Sequence, residues 1–89
     1  GQFVTVLVRI RNDGGETARR TRVRLMLPNY VNKVSSTVAF KESRDERGTT
    51  LEHIIPSLPA AQVVRWEIKL VLNRDLRENE RVYVVELEP

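Results

Sequence analysis

Strict two-residue alternation constrains this chain more than any other feature of its sequence. From Phe3 to Arg11 one parity is wholly aliphatic (Val4, Val6, Val8, Ile10), while the other carries Thr5, Arg9 and Arg11. Successive side chains of a strand point to opposite faces, so the pattern predicts a strand with one buried and one solvated face. Arg20 to Leu27 reads the same way, with Val23, Leu25 and Leu27 set against Arg20, Arg22 and Arg24. The longest run aligns Val64, Trp66, Ile68, Leu70 and Leu72 against Arg65, Glu67 and Lys69. A helix over 63–72 is the one competing reading. Its β-branched and aromatic content, and alternation sustained along the run, argue for a strand.

Between these runs lie turn residues. Asn12-Asp13-Gly14-Gly15 predicts a turn built from residues that accept positive φ at low cost. Pro28 ends the second strand, because it has no N–H to give to a ladder. A third strand is expected from Val34 to Phe40, with Val34, Val38 and Phe40 on one parity. Lys41 to Thr50 contains no apolar residue and reads as a long polar loop. A short strand from Leu51 to Ile55 is cut off by Pro56, and Asn73 to Glu80 is a charged turn. The last strand, Arg81 to Glu88, turns Tyr83, Val85 and Leu87 inward. Short strands at regular spacing predict an all-β chain, a sandwich or a barrel of six or seven strands. The expected core is Val4, Val6, Val8, Ile10, Val23, Leu25, Leu27, Val38, Phe40, Ile55, Val64, Trp66, Ile68, Leu70, Tyr83, Val85 and Leu87.

At 89 residues there is room for one domain, residues 1–89. Its composition, 40% hydrophobic and 30% charged, is that of a globular chain rather than a disordered one. No cysteine is present, which excludes disulfides, thiolate chemistry and cysteine-based metal sites. No apolar run approaches the ~18–20 residues that span a bilayer, so membrane insertion is not expected. The net charge of +3 is small for a dedicated nucleic-acid binder.

The ordered set of signals resembles a known family. A strand ends in Asn12-Asp13-Gly14-Gly15, with Ala18 following; the next closes in Leu27-Pro28; Ile55-Pro56-Ser57-Leu58-Pro59 then precedes a second long strand. This order is similar to the immunoglobulin-like conserved-repeat modules (domain of unknown function type 11) and the bacterial cell-adhesion-related domains, over about Phe3 to Leu87. The resemblance implies a two-sheet immunoglobulin-like sandwich excised from a larger protein of the bacterial surface or envelope, extracellular or periplasmic. It implies a spacer, stalk or adhesion role and carries over no catalytic residue. The family has glycine in the turn after Ile-Pro-x-Leu, whereas Ala61 stands here, which argues against a positive-φ turn. The family also has a strand before the first and another after the last seen here. Edge strands lying outside the chain would favour pairing with a neighbouring module or a second copy.

Individual residues point the same way. His53, the lone histidine, shares parity with Leu51 and Ile55 and reads as a core-edge imidazole, since no nucleophile or ligand set accompanies it. Acidic residues gather in the turns (Asp13, Glu16, Glu42, Asp45, Glu46, Asp75, Glu78, Glu80), where adhesion modules can bind calcium. Arginines at 44, 47, 74, 77 and 81 are interleaved with them, which favours ion pairs over a cation cage. No metal or other cofactor is expected. Trp66 reads as core. Arg20, Arg22 and Arg24 form a three-charge row, a solubilising face or a polyanion footprint. Nucleic acid is disfavoured because no aromatic is interleaved with them. Phe3 and Leu7 lie opposite the aliphatic parity of the first strand, and Val82 and Val84 opposite that of the last; both pairs suggest a contact with a neighbouring domain or a second chain. The sequence therefore leads to the expectation of a non-catalytic structural or adhesion module. A polyanion-binding module and an assembly domain that completes its sheet with another chain are the alternatives.

Overall fold

The computed structural model describes residues 2–88. Seven strands follow in chain order: β1 (Gln2–Arg11), β2 (Ala18–Pro28), β3 (Val31–Ser36), β4 (Lys41–Asp45), β5 (Gly48–Leu58), β6 (Val63–Leu72) and β7 (Val84–Glu88). They pair antiparallel into a three-stranded sheet of order β1-β6-β3 and a four-stranded sheet of order β4-β5-β2-β7. Among the described residues no helix is long and apolar enough to cross a membrane. The chain is an all-β sandwich.

The division into three and four strands is that of a constant-type immunoglobulin sandwich, with one exchange. In that arrangement the first strand joins the second and the seventh joins the sixth. Here β1 pairs with β6 and β7 with β2, so the two terminal strands have traded edges.

The alternating runs supply the core. Val6, Val8 and Ile10 of β1 and Trp66, Ile68, Leu70 and Leu72 of β6 are buried against Val23, Leu25 and Leu27 of β2 and Leu51 and Ile55 of β5. Full burial of an aliphatic side chain of this size stabilises by about 1.5–3 kcal/mol, which sets the register as well as the fold. Val31 and Leu58 are buried too, although the parity argument did not place them inside. Val4, Val38, Phe40 and Val64 pack against this core while only half-buried.

Several elements depart from expectation. The polar stretch from Lys41 to Thr50 is a hairpin, with β4 turning through Glu46 and Arg47 into β5. All five residues of β4 are exposed, so this edge strand leaves no apolar trace in the sequence. The third strand runs from Val31 to Ser36 instead of Val34 to Phe40, and a register shift between Lys33 and Ser35 leaves Val34 exposed.

Pro56 does not end β5. Its place opposite β2 falls at Arg20, which has a φ of 52°, and regular pairing resumes at Arg19 opposite Ser57. The missing proline N–H is thus absorbed where the partner strand is itself kinked. The turn after β5 also has positive φ, 66° at Ala61, against the expectation from the missing glycine. Neither Gly14 nor Gly15 takes a positive φ.

The last strand begins only at Val84, so its parity does not extend back through residues 81–83. Val82 is half-buried and packs against the core, whereas Tyr83, expected inside, is exposed. Val85 and Leu87 lie opposite Leu25 and Val23 on the inward side, as expected. They nevertheless remain 39% and 54% exposed, because β7 is an edge strand with nothing closing over it.

Candidate interaction surface

The outer faces of the two sheets differ in how they treat charge. Across the four-stranded sheet the registers align Lys41, Glu52, Arg24 and Glu86 in one transverse row, one residue from each strand. Charge alternates along it. Arg24 Nε lies 3.3 Å from Glu52, and Arg24 Nη2 lies 3.6 Å from Glu88. Arg22 reaches the same two carboxylates, at 3.8 Å and 3.4 Å. Such exposed pairs add little stability, but they neutralise the face. The row of Arg20, Arg22 and Arg24 is therefore broken: Arg20 sits exposed at the positive-φ kink, and the other two are already compensated.

On the outer face of the β1–β6 ladder the cations are not drawn into such ion pairs. Arg9 of β1 stands directly opposite Arg65 of β6, and Lys69 stands opposite Thr5. Ion pairs among the described residues involve Arg11, Arg22, Arg24, Lys33 and Arg74, and none involves Arg9, Arg65 or Lys69. Glu67, opposite Leu7, is the one carboxylate paired across this ladder.

Apolar side chains share this face. Phe3 is 64% exposed and Leu7 76% exposed, with half-buried Val71 opposite Phe3. Beside Leu7, a depression of about 410 Å³ is lined by Val8, Arg9, Thr37, Arg65, Trp66 and Glu67. Trp66 itself is buried and belongs to the core, as its parity predicted. Its ring meets His53 edge-on at 5.0 Å and Phe40 at 5.8 Å, and His53 Nδ1 lies 3.0 Å from the Ala39 carbonyl oxygen. That is the core-edge imidazole the sequence led us to expect.

Three of the acidic turn residues face cations. Arg11 pairs with Asp13 at 2.9 Å, Lys33 with Glu42 at 4.0 Å, and Arg74 with Glu80 at 2.6 Å. Among the described residues no group of three or more His, Cys, Asp or Glu side chains is placed to hold a metal ion. Of the predicted contact residues, Phe3 and Val84 are exposed, while Val82 is turned towards the core. Sequence reading found Phe3 and Leu7 but missed the meeting of Arg9 with Arg65. Parity put both arginines outside; their adjacency depends on the pairing of β1 with β6, which no local signal encodes. Comparison with protein-family models, curated proteins and solved structures gives no match to this chain.

Proposed function

We propose that this chain is a non-catalytic β-sandwich module of a bacterial surface or envelope protein, serving as a spacer that also makes a protein–protein contact. The observation that carries this reading is the exposure of Phe3 and Leu7 on the same outer face of β1, with half-buried Val71 beside Phe3. Two large apolar side chains exposed on one strand face contribute little to the core, and apolar surface rimmed by polar residues marks contact sites. The shape supports the spacer element: the principal extents are 43 × 23 × 21 Å.

A second reading draws on β7. Val85 and Leu87 are directed inward yet remain exposed, as in a sheet completed by another chain. The polyanion reading of Arg20, Arg22 and Arg24 draws little support from side chains already paired with Glu52 and Glu88.

Light scattering over a concentration series at low and high salt, on the native chain and the Phe3→Ser/Leu7→Ser double variant, tests the reading. We expect association of the native chain at high concentration that persists in high salt and disappears in the variant, with thermal stability unchanged. A variant that loses much of its stability would assign Phe3 and Leu7 to the fold and remove the basis of the contact. A native chain that stays monomeric throughout would confine the reading to the spacer role.

A further inference from the structure

We infer that the outer face of the β1–β6 ladder receives an extended, acidic segment of a partner polypeptide, laid along the free edge of β1. The inference rests on the contact reading above and specifies the partner's chemistry.

Charge comes first. Like charges directly opposite one another across a ladder are destabilising. On the four-stranded sheet Arg22 and Arg24 of β2 each have a carboxylate as a cross-strand neighbour; Arg9 and Arg65 have each other. Guarding a sheet edge with cations is an ordinary device and accounts for Arg9 on β1. It does not account for Arg65 or Lys69, because β6 is the central strand and both of its edges are already paired. Arg65 and Lys69 over a paired strand, with Arg9 beside them and Glu67 the single carboxylate between them, leave an excess of positive charge that suits an anionic ligand. Guanidinium groups suit carboxylates through parallel N–H···O bonds.

Length then selects the kind of ligand. The cations interdigitate with apolar side chains: along β1, Phe3, then Thr5 with Lys69 opposite, then Leu7 with Glu67 opposite, then Arg9 with Arg65 opposite. Six residue steps along the strand take Phe3 to Arg9, about 20 Å at ~3.3 Å per residue. A small anion covers one end of that span; an extended chain covers all of it. β1 has one hydrogen-bonded neighbour, so its other edge can accept a strand through main-chain bonds. The matching segment alternates on one face between an apolar residue, beside Phe3 and Leu7, and a carboxylate, beside Thr5 and Arg9 and towards the long side chains of Lys69 and Arg65 on the next strand.

The probe is a peptide with that alternation, acetyl-Val-Thr-Glu-Thr-Val-Thr-Glu-Thr-Val-amide, which reads alike in either direction and therefore fits a parallel or antiparallel approach. Its control has lysine in place of both glutamates. Binding is followed by fluorescence anisotropy of the labelled peptide at protein concentrations where the chain is monomeric, and located by hydrogen exchange of the β1 amides. We expect the glutamate peptide to bind at least tenfold more tightly than the lysine peptide and to slow exchange along β1. Arg65→Glu should weaken it at least tenfold, whereas Arg47→Glu, an equal change of net charge in the β4–β5 turn, should change it less than twofold.

Equal binding of the two peptides, equal effects of the two variants, or protection confined to another strand would overturn the inference. So would displacement of the peptide by a DNA oligonucleotide that binds more tightly, which would assign these cations to nucleic acid. If no peptide binds while Phe3→Ser/Leu7→Ser still abolishes self-association, the acidic partner is wrong and the contact reading stands.

Discussion

The side-chain amide of Asn12 donates to the carbonyl oxygen of Leu58 at 2.8 Å, tying the end of β1 in one sheet to the end of β5 in the other. The same Nδ2 donates to the Glu16 carbonyl at 2.7 Å, and Oδ1 accepts from the Gly14 N–H at 2.9 Å. The backbone of Asn12 is engaged as well: its N–H donates to the Gln62 carbonyl, and its carbonyl accepts from Ala61 N–H. One side chain thus closes the β1–β2 loop and joins it to the turn after β5. Asn12→Ala leaves carbonyls without their donor and should cost about 1–3 kcal/mol. Asn12→Asp should cost at least as much at neutral pH, since it sets a carboxylate oxygen against two carbonyl oxygens. Part of that loss should return in acid, where the protonated carboxyl again donates. Urea denaturation at pH 7 and pH 3 checks both variants; an Asn12→Ala chain as stable as the native one would refute this role.

Gly48 begins β5 opposite Pro28, with a φ of 147° that L side chains rarely adopt. A Cβ there would lie 1.9 Å from the Leu27 carbonyl oxygen, a backbone atom that cannot swing away. The Asp45 side chain fixes the preceding turn by accepting from the N–H groups of Arg47 and Gly48. Backbone strain of about 1–3 kcal/mol and a similar penalty for overpacking combine in Gly48→Ala. The expected loss is on the order of 2–5 kcal/mol, seen as a lower denaturation midpoint. Gly15→Ala, with open space around the new Cβ, is the control and should change stability by less than about 0.5 kcal/mol.

Burial decided which parts of this fold were legible in the sequence. β1, β2 and β6 each bury most of one parity, so alternation revealed them and most of the core. β4 buries nothing, and Lys41–Asp45 looked like a loop because an exposed edge strand is held by its backbone rather than by apolar side chains. Val34 misled because a bulge turned it outward, and Tyr83 because it lies before the ladder begins. The candidate site was legible only in halves. The apolar half, Phe3 and Leu7, follows from parity within one strand. The charged half needs the register that brings Arg9 beside Arg65. Fifty-odd residues separate them, and such pairing is a property of the assembled sheet.

Ala61 is the third residue of the turn that follows β5, and Gln62 N–H donates to the Pro59 carbonyl at 3.1 Å to close it. Its φ of 66° is left-handed, a conformation that costs an L residue about 1–2 kcal/mol and glycine almost nothing. The strain persists because Ala61 N–H is held by the Asn12 carbonyl at 2.8 Å. Ala61→Gly removes the strain but frees the unfolded chain, which returns about 0.4–1 kcal/mol of the gain. A net stabilisation of about 0.5–1 kcal/mol is expected in thermal or urea unfolding. Destabilisation would mean that the alanine methyl contributes packing that outweighs the backbone term.

Glu80 gives the fold a response to acid. Arg74 meets it with two parallel bonds, 2.8 Å and 2.6 Å, and Arg77 N–H donates to it at 2.6 Å. The Arg74 guanidinium also lies 3.9 Å from the centre of the Tyr30 ring, whose hydroxyl donates to the Arg81 carbonyl. This cluster anchors the charged connection between β6 and β7. The hydrogen bonds from Arg74, with that from the Arg77 backbone, hold the Glu80 carboxyl down at about 2. The folded value lies below the ordinary glutamate value of about 4.3, so the ionised form is the one the fold favours. Its contribution is fully present above that ordinary value and is lost as pH falls through about 2. A carbon-detected NMR titration should therefore place the Glu80 carboxyl midpoint near 2. Glu80→Gln should flatten the dependence of stability on pH between 4.5 and 2 and leave its form above pH 5 unchanged. A midpoint in the ordinary glutamate range would show that the Arg74 contacts are not maintained in solution.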